Sequence, residues 1–298
     1  MTEKQGTEKT AGDPQDAGGQ AQIPRGSGFA LAPPARAFPG FWQAVLLLVI
    51  SSLLQVLLII PFAIAGLMLN PAAMAVPVLV ATAVVAATGF KLTRARFGEV
   101  FPFAPVGWTV LFALLLAVAG LFVLRLDIAK ILTWISPPPS WFSRFLKEMV
   151  GSPGLWGSLA AGGLAIPFAE EILYRGLILH GFVRRYGAAK AIVVSAFLFA
   201  LMHGNPWQSV TAFILAVLLA WCVIRTRSLI PCIFAHMVNN SIGFMLIALK
   251  VQLPGETADA AAGIVFHPWW LNVAALLTTA LGLFLLLKKF NFGVRHPK

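Results

Sequence analysis

The chain has little charge for its length, and this scarcity excludes an ordinary soluble domain. Of its 298 residues, 11% are charged and 59% are hydrophobic, whereas soluble domains carry about 25% charged residues. Apolar runs that could span a bilayer lie at eight positions: 42–69, 72–90, 106–124, 155–175, 189–203, 208–224, 229–249 and 269–287. The composition therefore predicts an all-α polytopic membrane protein with about eight transmembrane helices.

Cysteines are also scarce, and we expect no secretory signal. Cys222 and Cys232 are the only cysteines, and they form neither a disulfide framework nor a CxxC metal motif. We interpret them as buried structural thiols. Residues 1–40 lack the basic start, apolar core and cleavage site of a signal peptide, and their polar composition predicts a disordered cytoplasmic tail. We expect the membrane domain to occupy residues 41–290.

We interpret the net charge of +11 as a signal that sets the orientation of the protein in the membrane. The segments expected on the outside contain five basic residues: Arg125, Lys130, Arg144, Lys147 and Lys250. All other Lys and Arg residues fall in inside segments or in the termini, so the positive-inside rule predicts that both termini are cytoplasmic. We expect contact with the lipid bilayer and its anionic lipids, and no nucleic-acid partner.

The longest polar connection is expected between the third and fourth spans, over residues 125–154. It begins with Arg125 and Asp127, and it contains an amphipathic piece over 141–150 with Trp and Phe beside Arg and Lys. That composition predicts a helix lying in the outer interface of the membrane.

Several protease motifs are missing from the chain. Neither intramembrane histidine has the glutamate offset of HExxH, and no Gly-x-Ser-Gly pattern occurs. The aspartates are expected outside the spans, which excludes an intramembrane aspartyl dyad: Asp13, Asp16, Asp127 and Asp259.

Two adjacent glutamates, Glu170 and Glu171, are the only acidic residues in the predicted spans. A charge at the bilayer centre costs roughly 2.5–3.5 kcal/mol on insertion scales, so the pair indicates a functional site. Because residues four apart share a helix face, Glu171 should face Arg175 and Glu170 should face Tyr174. We therefore expect Glu171 to be ionised and structural, and Glu170 to be free to act.

Counting from a predicted turn at Gly187 brings Glu170 opposite a histidine. A helix over about 155–186 would end at that turn. Glu170 lies 17 residues before Gly187 and His203 lies 16 after it, so an antiparallel hairpin places them at equal depth. Phe199, four residues before His203, should share its helix face.

The seventh span adds His236 and Asn240, which are four residues apart and share a face. Asn239 remains an alternative to Asn240, because it lies three residues from His236. Their expected depth of about 12–20 Å from the inner edge is comparable with that of Glu170. We expect the set to converge in the inner half of the membrane. The remaining polar candidates are interpreted as structural: His180, His267 and Ser195.

This set of side chains is suited to hydrolysis of an amide bond. Glu170 with His203 can activate water, by general-base action or with a metal. His236 and Asn240 can donate hydrogen bonds to a developing oxyanion. As an alternative, Glu170, His203 and His236 are ligand types that zinc uses, with water at the fourth position.

At these residues the chain resembles the CAAX-protease and bacteriocin-processing membrane proteases, known as the CPBP or Abi family. The family signatures EExxxR, FxxxH and HxxxN correspond to Glu170-Glu171-Ile172-Leu173-Tyr174-Arg175, Phe199-Ala200-Leu201-Met202-His203 and His236-Met237-Val238-Asn239-Asn240. The resemblance covers roughly residues 155–250. It implies an eight-helix membrane endopeptidase with a Glu/His pair for water and a His/Asn oxyanion site.

The resemblance also implies substrates and a location. The substrates would be membrane-associated or lipidated, ranging from the C-termini of prenylated CAAX proteins to peptides, and the membrane would be a prokaryotic plasma membrane. Family descriptions include both zinc-dependent and metal-free glutamate types, and both remain open.

Two non-proteolytic functions use the same residues. A non-catalytic relative could act as an immunity or scaffold protein, although every catalytic-type residue is present. A proton- or ion-coupled transporter would show internal repeats and matched helix breaks, and neither is clear in the sequence. We therefore predict an intramembrane endopeptidase with its cavity between helices.

Overall fold

Helices form nearly all of the part of the chain that the structure, a computed structural model, describes: residues 37–142, 144, 148, 154–254 and 264–292. In chain order they are α1 (Phe41–Ile64), α2 (Pro71–Thr93), α3 (Phe97–Val100), α4 (Trp108–Ile135), α5 (154–186), α6 (Ala188–Leu201), α7 (Pro206–Thr226), α8 (Ile230–Ala248) and α9 (Trp269–Phe292). The predicted tail over 1–40 lies almost wholly outside the described residues, and so does most of the amphipathic piece over 141–150.

The helices confirm an all-α, multi-pass membrane protein. Six of them, α1, α2, α4, α7, α8 and α9, are long and apolar enough to cross a membrane. The other two predicted spans correspond to α5 and to the shorter apolar helix α6. All eight predicted apolar runs are therefore helical, at the expected places in the chain.

Helix α4 is longer than the sequence predicted. The apolar run ends at residue 124, but the helix continues to Ile135. The backbone hydrogen bonds of an α-helix join residues of the helix itself, so the polar side chains at 125 and 127 do not end it. Arg125 and Asp127 are consequently buried, with 7% and 9% of their surface exposed. Two expectations were therefore wrong: these residues do not lie in an outer connection, and the two glutamates are not the only acids in the membrane helices.

Asp127 fastens the segment before α9 to α4. Its carboxylate accepts hydrogen bonds from the backbone N–H of His267 at 3.2 Å and from Asn272 Nδ2 at 2.8 Å. Lys130 Nζ lies 3.1 Å away and His267 Nδ1 lies 2.6 Å away. These four polar groups offset much of the cost of burying the Asp127 charge. His267, which supplies two of them, was interpreted from the sequence as a structural residue.

Helix α5 consists of α-helical and π-helical segments joined end to end. The π-helical parts are Leu159–Ala165 and Ile172–Ile178, and they flank the α-helical Ile166–Glu171. Such π-helical segments often occur at functional sites. The helix ends at Gly187, whose φ of +77° is readily adopted only by glycine. This confirms the predicted turn between α5 and α6.

Candidate active site

A cavity of about 500 Å³ lies between α4, α5, α7 and α8 and reaches the end of α6. This volume is in the usual range for a ligand site. The polar side chains that line it are Arg125, Glu170, His203, Gln208, Thr211, His236, Asn239 and Asn240. The four residues predicted from the sequence to act together, Glu170, His203, His236 and Asn240, all belong to this lining.

Glu170 and Glu171 have different surroundings, as their helix faces predicted. The Glu170 side chain is 27% exposed, whereas that of Glu171 is completely buried. Glu170 Oε2 lies 3.6 Å from Nε2 of His236, a separation too long for a hydrogen bond. Its carboxylate is therefore accessible from the cavity and close to one histidine.

Glu170 also borders a second, smaller cavity of about 110 Å³ on the side of α1 and α2. Polar side chains contribute much of its lining: Ser51, Ser52, Gln55, Thr82 and Tyr174. Ser51 accepts a hydrogen bond from Gln55 Nε2 at 3.2 Å. Glu170 thus stands between a large cavity and a small polar one, and the small cavity includes the predicted neighbour Tyr174.

Glu171 is held by two partners. Its Oε1 accepts a hydrogen bond from Arg175 Nη1 at 2.8 Å, with both side chains buried, which confirms the predicted ion pair. The same oxygen lies 2.7 Å from Nδ1 of His236, a contact that sequence reasoning missed. Because an ionised carboxylate only accepts hydrogen bonds, Nδ1 of His236 carries a proton and its Nε2 is turned toward Glu170.

The aromatic ring of Phe199 joins the motif residues of three helices. Arg175 lies over this ring, with its guanidinium carbon 4.6 Å from the centroid, a favourable cation–π contact. The rings of Tyr174, His203 and His236 pack against it edge-on, at centroid distances of 5.0, 5.1 and 5.7 Å. The predicted supporting roles of Phe199 and Tyr174 are therefore matched by direct packing.

His203 lies in the turn just beyond the C-terminal end of α6. Its Nδ1 is 3.0 Å from the carbonyl oxygen of Phe199, which can only accept, so Nδ1 donates and the neutral ring keeps Nε2 as its acceptor. Asn205 donates to the His203 carbonyl at 2.9 Å and also caps α7 by accepting from the Gln208 N–H. The turn thereby fixes His203 beside the cavity.

Both candidate asparagines line the cavity, and a chain of hydrogen bonds connects them. Arg125 Nη2 donates to Asn239 Oδ1, and Asn239 Nδ2 donates to Asn240 Oδ1 at 2.9 Å. Asn240 Nδ2 then donates to the Gly162 carbonyl at 3.3 Å. Both asparagines therefore belong to the site, and they have different partners: Asn239 contacts Arg125, and Asn240 contacts α5.

Glycine 162 permits this last contact. A Cβ at Gly162 would lie 2.2 Å from the Phe244 ring on α8, far inside van der Waals contact. Glycine at this position therefore leaves room for the Phe244 ring between α8 and α5, as small residues do between membrane helices.

Arg125 is the cavity residue that the sequence reasoning placed wrongly. A signal was available, because the apolar pattern resumes after Asp127 with Ile128, Ala129, Ile131 and Leu132. Continuation of the helix would have brought Arg125 into the membrane and made it a site candidate.

The residues interpreted as structural lie away from this cavity. Cys222 and Cys232 are free and buried, as predicted, and Ser195 donates to the Ile192 carbonyl within its own helix. His180 lines a separate cavity with Arg184 and other residues.

The arrangement of the side chains bears on whether the site could hold a metal ion. Among the residues that the structure describes, no three His, Cys, Asp or Glu side chains are placed to hold one ion together. Glu170, His203 and His236 are suitable ligand types, but as arranged here they do not fit a zinc site.

Comparison with known families adds one finding. Residues 152–242 match the family model described as type II CAAX prenyl endopeptidase, Rce1-like. The matched region contains α5 to most of α8, with every predicted site residue from Glu170 to Asn240, and it excludes Arg125. No curated protein and no solved structure was found to match the chain.

Proposed function

We propose that this chain is a member of the CAAX-protease family, whose model matches residues 152–242, and that it hydrolyses a peptide bond of a membrane-associated or lipidated substrate in the 500 Å³ cavity. One observation carries the proposal: of two adjacent glutamates, one is buried and neutralised by Arg175, and the other is exposed in the cavity. A carboxylate that is partly exposed in the cavity and forms no ion pair with an arginine or lysine of the described residues is suited to take a proton from water.

Glu170 is the proposed general base. Its carboxylate takes a proton from a water molecule as the water oxygen attacks the carbonyl carbon of the substrate. His203, with Nδ1 committed to a backbone carbonyl, offers Nε2 as a second acceptor for that water. The proton on Glu170 then passes to the amide nitrogen as the C–N bond breaks, which leaves a carboxylic acid and an amine.

The small polar cavity is the proposed water reservoir. A polar site of this size can hold ordered water molecules with two or more hydrogen-bond partners. Ser51, Gln55 and Thr82 supply such partners beside Glu170. Water can thus reach Glu170 from α1 and α2 while the peptide occupies the large cavity.

His236 and Asn240 are the proposed oxyanion donors. Nδ1 of His236 already donates to Glu171, so Nε2 can donate to an oxyanion only when the ring is an imidazolium. Glu171 and Glu170 lie on opposite sides of this ring, at 2.7 and 3.6 Å. Asn240 Nδ2 has a second hydrogen beyond the one given to Gly162, which can meet the same oxyanion.

The proposed setting is a prokaryotic plasma membrane, with both termini in the cytoplasm. The outward faces of α1 and α9 carry large exposed apolar side chains, among them Leu53, Leu57, Leu277 and Phe284, and a lipid environment would cover them. The proposed partners are therefore the lipid bilayer and a substrate delivered from it.

Hydrolysis is tested with purified full-length protein in lipid vesicles and a synthetic peptide ending in a prenylated CAAX sequence. Mass spectrometry is expected to show two fragments, with solvent ¹⁸O in the new carboxylate of the upstream fragment. Peptide that stays intact with the folded protein, whether prenylated or not, would favour the immunity or scaffold alternative. Ion flux through the same vesicles, driven by a pH gradient, would favour the transporter alternative.

The metal question is settled by elemental analysis and chelation of the same preparation. We expect cleavage to survive a zinc chelator, because each proton transfer above is made by a side chain of this protein. Stoichiometric zinc together with chelator-sensitive cleavage, restored by added zinc, would replace this scheme by the one with Glu170, His203 and His236 as ligands.

A further inference from the structure

Arg125 is a buried cation whose hydrogen-bond partners are neutral. It is 7% exposed and lines the cavity that contains Glu170. Nη1 donates to the Thr211 carbonyl at 2.8 Å and Nη2 donates to Asn239 Oδ1. Its Nε is buried and has no hydrogen-bond partner within the part of the chain that the structure describes.

The other buried arginine of the site has the partner that Arg125 lacks. Arg175 lies 2.8 Å from the carboxylate of Glu171. No carboxylate of the described residues forms an ion pair with Arg125. Asp127, two residues along α4, is occupied by His267, Lys130 and Asn272, and Glu170 lies beside His236.

An unmatched guanidinium is expensive inside a membrane protein. Removing an ion from water costs several kcal/mol even after relaxation, and two neutral acceptors offset only part of that cost. Cations held in membrane segments usually face a cavity and mark a substrate pathway. The charge balance at Arg125 is completed when a ligand brings a negative group into the cavity.

We propose that Arg125 binds the free α-carboxylate at the C-terminal end of the bound peptide. The inference rests on the proposed endopeptidase function and names a feature of its substrate. A guanidinium presents donors in a planar fork that matches a carboxylate, and Nη1 and Nη2 of Arg125 each keep one N–H beyond the hydrogen bond already made. A peptide in the 500 Å³ cavity then has its carboxylate at Arg125 and its scissile carbonyl at Glu170.

The carboxylate site is linked to the oxyanion site. Arg125 contacts Asn239, and Asn239 donates to Asn240, the proposed oxyanion donor. Both ends of the bound segment are therefore held by helices in contact, α4 and α8. A fixed spacing between them makes the cleaved bond a set number of residues from the C-terminus.

The test compares two peptides that differ only at the end, one a free acid and the other a carboxamide. With the wild-type protein in vesicles, kcat/KM for the acid is expected to exceed that for the amide by about tenfold or more, chiefly through KM. In Arg125→Gln the ratio is expected to fall toward one. Equal cleavage of both peptides by the wild-type protein would overturn the proposal.

Two controls separate charge, fold and function. Lys130→Gln removes a positive charge from the same helix outside the cavity lining, and it should preserve the acid-to-amide ratio. Arg125→Lys retains the charge without the fork and should give an intermediate ratio, which a purely structural role for Arg125 does not produce. A thermal-unfolding measurement of each variant accompanies these ratios.

Calorimetry then measures how tightly the wild-type protein binds a short peptide with the C-terminal sequence of the substrate, prepared either as the free acid or as the carboxamide. Tighter binding of the acid is expected. Preferential acid binding without any cleavage would support the carboxylate site and contradict the proposed function. Cleavage with equal binding of the two fragments would leave the function standing and overturn the carboxylate site, whether or not Arg125→Gln folds.

Discussion

Replacing Glu170 by glutamine is expected to lower kcat for peptide hydrolysis by about 10²–10⁴-fold, the usual contribution of a positioned general base. Glutamine has the shape of glutamate but cannot take the proton of the attacking water. The side chain is partly exposed in the cavity and takes no part in the Glu171–Arg175 pair. The variant should therefore fold and bind substrate as the wild-type protein does.

The measurement is single-turnover cleavage by vesicle-embedded protein, together with thermal unfolding of the same samples. Glu99→Gln is the matched control, since Glu99 is a half-exposed glutamate 3.9 Å from Arg184 and is not part of the lining of the cavity that contains Glu170. It should cleave at the wild-type rate. A folded Glu170→Gln protein with near wild-type kcat would remove Glu170 from catalysis and end the proposed mechanism.

The features that the sequence predicted correctly are local ones. Apolar runs mark the helices because each turn of a membrane helix satisfies its own backbone. The contact between Glu171 and Arg175 follows from four-residue spacing. The turn at Gly187 follows from a glycine after a basic segment, and it was sufficient to bring Glu170 and His203 to one cavity.

The contacts that the sequence did not reveal join residues far apart in the chain. Hydropathy ended the third span at residue 124 because Arg125 and Asp127 are costly in lipid when unpaired. Apart from Lys130 on the same helix, their partners lie 86 to 145 residues away, on α7, α8, α9 and the segment leading into α9. The distant partners that bury these two residues leave no local signature, so the apolar residues that follow Asp127 were the available sign of the length of α4.

The second partner of Glu171 was also not predicted, because it is distant in the sequence. His236 lies 65 residues further along the chain, and only the packing of α8 against α5 brings its Nδ1 to the carboxylate. Glu171 therefore has a second task besides the one that the sequence predicted. It neutralises Arg175, and it fixes which nitrogen of His236 faces the cavity.

Removing one partner of this buried pair is expected to have the largest effect on stability. Arg175→Met leaves the Glu171 carboxylate fully buried without its cation, which typically costs about 3–5 kcal/mol. It also removes the cation–π contact with Phe199. Unfolding in a mild detergent, followed by heating or by denaturant, should show this loss against the wild-type protein. An Arg175→Met protein of wild-type stability would show that the pair is not structural.

The double variant Glu171→Gln with Arg175→Met separates structure from catalysis. It buries no unpaired charge, so its stability should recover much of the loss of the single variant. Its activity should not recover in proportion, because a neutral amide cannot stabilise the His236 imidazolium that the oxyanion requires. Recovery of stability and kcat together would make Glu171 structural alone, as its spacing from Arg175 suggested. Recovery of stability without kcat would instead assign Glu171 to the positioning of His236, so that both adjacent glutamates serve the reaction.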